Sequence, residues 1–509
     1  MNDSRQRKIG AILSYMSIII STLVQLIYTP FLVRMLGQSE FGLYSLVISI
    51  IGYLSILDLG FGNAIVVYTT KYRVQKKYEE EKKLHGMFFV IFCIIAGFVG
   101  LLGLILFFNV ENLFADTMTS MELQKMKIMM LILTFNLVLT FVFNIYSSIL
   151  NAYEKFVFRK LISIINTLLK PLIMLPLLFL GLKSITMVIV VTILNIGVLL
   201  SNYIYCRRKL NIKIKYSGFD KKVFITIFSY SIWLFLATVV DKINWSVDHF
   251  ILGIVSGTAA VSIYSIATHF NTLFINLSTA ISGVLLPKMT KMVAQKSTST
   301  ELTDEFIKVG RLQFIVVFLA TSGLILFGKE FIIWWAGKNY AESYYVALLL
   351  VVPALFSLIQ NLGLSIIQAM NRFKFKAIMS FAMSIINIIL SIFLAKKYGP
   401  VGAAMGTTFS IVVCNLLIMD IYYYKVIKLD VLKFWKNILL MFAKYIVPII
   451  ILIVVMMMTN IKGIMSVLVY GSLYTLLYLI VTYYFVCNKY EKYLMNKLLH
   501  KLKLRKSDV

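Results

Sequence analysis

The chain has 509 residues, 60% of them apolar and 14% charged. Soluble domains carry about 45–50% apolar and about 25% charged residues, and the interior of a chain this long cannot hide the excess. A soluble enzyme, a disordered chain and a secreted disulfide scaffold are excluded, which leaves a polytopic membrane protein.

Fourteen apolar runs follow one another. The first six lie at roughly 9–36, 40–70, 84–108, 125–150, 161–180 and 184–206. The next six lie at 222–253, 258–287, 311–333, 342–369, 375–395 and 401–424, and two more at 437–458 and 464–487. The runs are long and lack period-2 alternation, so they predict helices, which satisfy their own backbone hydrogen bonds inside lipid. The expected fold is an all-α polytopic membrane protein of about 14 transmembrane helices. The run from Ile9 is too long for a signal-peptide core and lacks a small-residue cleavage site, so it is read as the first span. Cys93, Cys206, Cys414 and Cys487 lie in or beside apolar runs without paired spacing and read as small apolar residues; disulfides and metal ligation are unsupported.

The net charge of +28 comes from 50 Lys and Arg against 22 Asp and Glu. With the N-terminus in the cytoplasm, 38 of the 50 basic residues fall on inner segments, ten on outer ones, and Lys170 and Lys444 within spans. The inner segments include KYRVQKKYEEEKK at 71–83, RRKLNIKIKYSGFDKK at 207–222 and the tail from Lys489. Cytoplasmic loops collect Lys and Arg, so this bias predicts both termini inside and an even number of spans. The charge is then a topology signal, and nucleic acid is not expected as a partner.

A repeat runs through the chain at a spacing of about 217–220 residues. Ile149-Leu150-Asn151-Ala152-Tyr153-Glu154-Lys155-Phe156 matches Ile366-Ile367-Gln368-Ala369-Met370-Asn371-Arg372-Phe373, and Phe158 and Arg159 match Phe375 and Lys376. Gly37, Leu43, Tyr44 and Ser45 match Gly257, Ile263, Tyr264 and Ser265. The two sets of six spans are therefore related halves, with the same orientation because six is even. Such repeats suit carriers with a site between rocking halves. The expected organisation is an N-terminal six-helix lobe at 1–206, a basic cytoplasmic linker at 207–222 and a second lobe at 223–424. Two additional helices at 425–488 and a basic tail at 489–509 complete it.

Ionisable groups inside a membrane cost at least about 2.5–3.5 kcal/mol each and need a reason. Asp58 lies deep in the second run, in LSILDLGFGNA, and Lys170 in the middle of the fifth, in TLLKPLIML. Asp241, Lys242, Asp248 and His249 share the outer half of the seventh run, His269 lies within the eighth, and Arg34 closes the first. Bland readings compete. Asp58 and Lys170 suit a neutral pair, Asp248, His249 and Arg34 an interfacial position, Lys242 a snorkelling stem, and His269 a hydrogen-bonded core residue. Trp334, Trp335 and Trp435 read as interface anchors. Nucleotide-binding, zinc-hydrolase and serine-hydrolase signatures are missing and the outer loops are short. The work of this chain therefore draws on a gradient or on the membrane potential.

TPFLVRMLGQSEFGLYSL (29–46), LDLGFGNA (57–64), NAYEKF (151–156), DHFILG (248–253) and AAVSIYSIA (259–267) follow in an order that resembles a known family. It is the polysaccharide-transporter flippases of the multidrug/oligosaccharidyl-lipid/polysaccharide exporter superfamily, and the resemblance covers nearly the whole chain. It implies a V-shaped cavity between two lobes in the bacterial cytoplasmic membrane. It implies turning undecaprenyl-diphosphate-linked oligosaccharide repeat units from the inner to the outer leaflet, for capsule or O-antigen synthesis. Glycosyltransferases and a polymerase of the same pathway are the implied partners beside membrane lipid. Asp58 and Asp248 match acidic positions of the family, while His249 stands where Arg is frequent. Arg34, Lys170, Lys242, His249 and His269 are the cations available to a diphosphate and sugar; Asp58, Asp241 and Asp248 are the candidates for ion coupling or charge pairing. No cofactor is expected beyond a coupling Na+ or H+. A cation-coupled multidrug or metabolite exporter of the same superfamily is the alternative, followed by a membrane-embedded glycosyltransferase or polymerase.

Overall fold

The computed structural model describes residues 3–215, 221–282, 286–370, 372–459 and 463–504. It is helical throughout, and the described residues contain no strand. The helices are α1 (Asp3–Leu36), α2 (Gln38–Leu54), α3 (Phe61–Val74), α4 (Tyr78–Phe114), α5 (Ser120–Ala152), α6 (Phe156–Phe179) and α7 (Ser184–Arg208). They continue as α8 (Lys221–Ser282), α9 (Leu286–Ala294), α10 (Ser299–Ala336), α11 (Ser343–Leu358), α12 (Asn361–Ala369) and α13 (Phe373–Ile411). The last are α14 (Met419–Tyr422), α15 (Val431–Met458), α16 (Ile464–Val481) and α17 (Lys489–Leu504). π-helical turns at Val412–Ile418 and Tyr423–Ile427 flank α14.

Among the described residues 11 helices are long and apolar enough to cross a membrane, or 12 when α11 and α12, bent by 47°, count as one span. The helix α8 turns sharply at Gly257 and α13 at Gly399, so each joins two apolar runs. The count is consistent with the fourteen runs of the sequence.

By packing, the chain forms two compact units, Met1–Ser265 with Ile388–Ala403, and Ile266–Asn387 with Ala404–Val509. In the first, α5 packs against α4 and α7, and α1 against α6. In the second, α10 packs against α11, α15 and α16. Tyrosines tie α15 and α16 down there. The rings of Tyr445 and Tyr478 stack at 4.2 Å, and the Tyr474 hydroxyl donates to Ser322 on α10 at 2.6 Å. Trp335, expected at an interface, is instead buried against Phe270 and Phe331. The apolar face of α10 faces its own unit at that point, which a tryptophan count cannot show.

The repeat is visible as local geometry. Gly37 and Gly257 both take φ near +80°, a conformation that costs a residue with a Cβ, and each lets one span turn directly into the next. Gly181 and Gly399 match in the same way, as do two non-glycine residues with positive φ, Asn211 and Lys428. The ring of Phe158 stacks on Tyr205 at 4.0 Å, and Phe375 on Tyr422 at 4.3 Å. Breaks within spans follow glycine and short tight turns, while α6 runs through both Pro171 and Pro176.

Candidate functional site

In the first unit the second span is interrupted where the acid lies. After α2 a single 3₁₀ turn covers Ser55–Asp58, then Leu59 and Gly60 adopt left-handed φ of 52° and 73°, and α3 begins. A leucine in that region is strained, and such strain gathers at functional positions. The interruption frees the first amide groups of α3, and the Gly62 amide donates to the Asp58 carboxylate. Asn144 Nδ2 on α5 donates to Asp58 Oδ1 at 2.8 Å. Asp58 is thus held by neutral donors at the positive end of a helix dipole, an arrangement that stabilises a carboxylate without a counter-ion. Lys170, on α6, makes no hydrogen bond or ion pair among the described residues. The charge pair considered from the sequence is not formed; the local helix terminus satisfies the acid in its place.

A second group joins α2 to α8. The ammonium of Lys242 lies against Gly52, 3.7 Å from where a side-chain carbon would start. The next residue, Tyr53, is near enough to Asp248 to feel its charge. Asp248 is buried and its Oδ2 accepts from the Tyr264 hydroxyl, while the His249 ring meets Tyr264 edge-on at 5.3 Å. So Lys242 reaches α2, and Asp248 and His249 meet at Tyr264; Tyr53 and Tyr264 are neighbours the sequence reading missed. Tyr264 carried a signal, since it belongs to the repeat; Tyr53 carried none. Arg34 is exposed in the last turn of α1. His269 belongs to the second unit and is half-buried. The side chain of Asp241 lies outside the described residues.

Charges read only as loop signals also prove structured. Glu81 is buried, accepts from the Tyr153 hydroxyl at 2.8 Å, and lies 4.0 Å from buried His85. The Arg73 guanidinium covers the Tyr153 ring at 3.7 Å and donates to the Ala152 carbonyl at 2.9 Å. Burial and the neighbouring Glu81 carboxylate push the Tyr153 phenol well above its usual range. At the opposite end of the helices Glu122 accepts from Ser39 and, at 2.8 Å, from Thr258, which joins α2, α5 and α8.

A sequence model of the polysaccharide biosynthesis protein family matches residues 8–293. The chain belongs to that family. It is 24% identical over 416 residues to a Shigella flexneri protein whose name refers to O-antigen transport, covering 79% of this chain and 94% of that one. It is 28% identical over 226 residues to a Staphylococcus aureus capsular polysaccharide biosynthesis protein, covering 43% of this chain and 55% of the other. Its fold is similar to that of the lipid II flippase MurJ in an inward closed conformation. The TM-score is 0.71, the identity 20%, and the match covers 93% of this chain and 98% of that chain. The fold is also similar to that of an inward-facing multidrug-resistance transporter of the MOP superfamily, at a TM-score of 0.64 and 11% identity, covering 80% of this chain and 96% of that one. The all-α polytopic fold expected from the sequence is the fold observed.

Proposed function

We propose that this chain turns undecaprenyl-diphosphate-linked oligosaccharide repeat units from the cytoplasmic to the outer leaflet of a bacterial plasma membrane. Its basic end faces the cytoplasm, both termini included, and alternating access is driven by an ion gradient or the membrane potential. The relatives in O-antigen transport and capsule synthesis support this substrate class. The observation that carries it is Lys170, a cation in mid-span with no partner among the described residues. Bringing a diphosphate into a low-dielectric core is expensive unless cations are waiting there. Lys170, with Arg34, Lys242, His249 and His269, fills that role, and Asp58, Asp241 and Asp248 serve ion coupling. The glycosyltransferases and polymerase of the pathway act before and after it.

The test is reconstitution in vesicles loaded with an undecaprenyl-diphosphate-linked fluorescent oligosaccharide, with leaflet position read by a membrane-impermeant quencher. Transfer by the wild type, slowed at least about tenfold in Lys170→Gln, is expected. A chain that instead exports cationic dyes and leaves the lipid in place is a multidrug exporter. Labelling of a cysteine at position 77 from outside intact cells overturns the orientation.

A further inference from the structure

The repeat exposes one more position. Phe143 and Tyr203 of the first half meet edge-on, their ring centres 6.0 Å apart. The corresponding residues of the second half, 217 positions on, are Gln360 and Asp420. An aromatic contact has become an amide beside a carboxyl.

Their setting is unusual in three ways. Gln360 lies at the break between α11 and α12, where the span bends by 47°. Asp420 sits on the four-residue α14 between two π-helical turns, a distortion that recurs at functional sites, whereas its counterpart α7 is a regular helix. And three buried polar atoms have no aligned hydrogen-bond partner among the described residues: Asp420 Oδ1, Gln360 Oε1 and Gln360 Nε2. Gln360 is only 4% exposed and adjoins the Asp420 carboxyl without an aligned bond. The other carboxyl oxygen, Oδ2, accepts from Trp435 Nε1 at 2.6 Å. Among the described residues the break brings Gln360 to this carboxyl, α15 brings Trp435, and the π-helical turn after α14 brings the buried phenol of Tyr423. No Lys, Arg or second acid among the described residues acts on it.

We propose that Asp420 and Gln360 form an exchangeable proton site. Asp420 is half-buried, but its Oδ1 is shut away from solvent; an unpaired carboxylate oxygen there, with no cation beside it, is costly, and one proton removes the cost. When the proton is bound, the Oδ1 hydroxyl donates to Gln360 Oε1. When it leaves to water at the basic end, roughly 10 Å away along the helix, the amide turns over and Nε2 donates to the Oδ1 carboxylate. One glutamine thus serves both states. A hard metal cation takes about six oxygens or more, and this pair offers two. Use of the site for coupling rests on the flippase reading; its existence does not.

The test is pH-difference infrared spectroscopy of the purified full chain, which needs no lipid-linked substrate, so its failure and the failure of the flippase reading are separate results. A protonated-carboxyl band that titrates in the wild type and in Asp58→Asn is expected to vanish in Asp420→Asn, which keeps an acceptor for Trp435. In Gln360→Leu the band is expected to shift in frequency and midpoint. An unchanged band in Asp420→Asn, or wild-type behaviour in Gln360→Leu, overturns the proposal. So does displacement of the band by sodium chloride at constant pH, which makes the ligand a metal cation.

Discussion

In the first half of this chain Asn144 donates to Asp58; in the second, the corresponding Asn361 donates to Ser278 Oγ at 3.1 Å. The asparagine stays and the acid becomes a hydroxyl. Around it the backbone changes as well. The span carrying Asp58 is interrupted at Ser55–Gly60, and α5, which carries Asn144, is continuous. The span carrying Ser278 runs unbroken past it, and the interruption moves to the partner, between α11 and α12. Ser278 is buried between the Leu358 carbonyl, which it meets at 3.0 Å, and Gln313 Nε2 at 3.0 Å. A neutral hydroxyl is satisfied by a carbonyl and an amide; a carboxylate needs donors only, and a helix start supplies them. The difference teaches that the same asparagine serves an acid where a helix start opens beside it, and a hydroxyl where the helix runs on.

The largest effect on this contrast is expected from Asp58→Asn. Asparagine caps a helix start about as well as aspartate, so the variant folds and reaches the membrane while glycan flipping is abolished. Flipping at the wild-type rate leaves Asp58 a structural role only. Asp58→Ser, which copies the second half, is expected to behave alike.

Next in size is Lys170. Lys170→Gln should slow flipping at least about tenfold, equivalent to about 1.4 kcal/mol. The double exchange Asp58→Lys with Lys170→Asp should not restore it, because no ion pair joins the two residues. Near-normal flux in the exchanged protein reverses that conclusion.

A smaller, purely structural effect is expected at Gly42. A side-chain carbon there would fall 1.8 Å from the Thr258 carbonyl oxygen, so α2 or α8 must move. Gly42→Ala should cost about 1–3 kcal/mol, the range of core overpacking, read as a lower melting temperature in detergent. An unchanged melting temperature means the two helices do not pack so closely.

The smallest effect checks the shared scaffold. Phe158→Leu and Phe375→Leu each remove one stacked ring pair, worth about 0.5–1.5 kcal/mol beyond area. Equal losses of stability support equivalent turns in both halves, and unequal ones argue that the halves have diverged there too.

Much of the fold was legible from residues alone. Lipid allows few backbone solutions, so long apolar runs become helices whatever surrounds them. Matched glycines recur where one span must turn into the next, and the aromatic pairs recur with them. The site was legible only as a set of expensive residues. Cost identifies Asp58, Lys170, Lys242 and Asp248 one at a time, but it carries no address. Asn144 lies 86 positions from Asp58, and only packing brings its amide to the carboxylate. The same holds for Tyr53 beside Asp248 and for Glu81, drawn under the Tyr153 hydroxyl from a segment that reads as solvated charge. Gln360 and Asp420 gave no signal as a pair, because an amide and an acid 60 residues apart look ordinary until a bent span and a distorted helix enclose them. Composition and periodicity are summed along the chain and determine which segments enter the membrane. Partnership depends on directional bonds between distant segments, and the tertiary structure alone decides it.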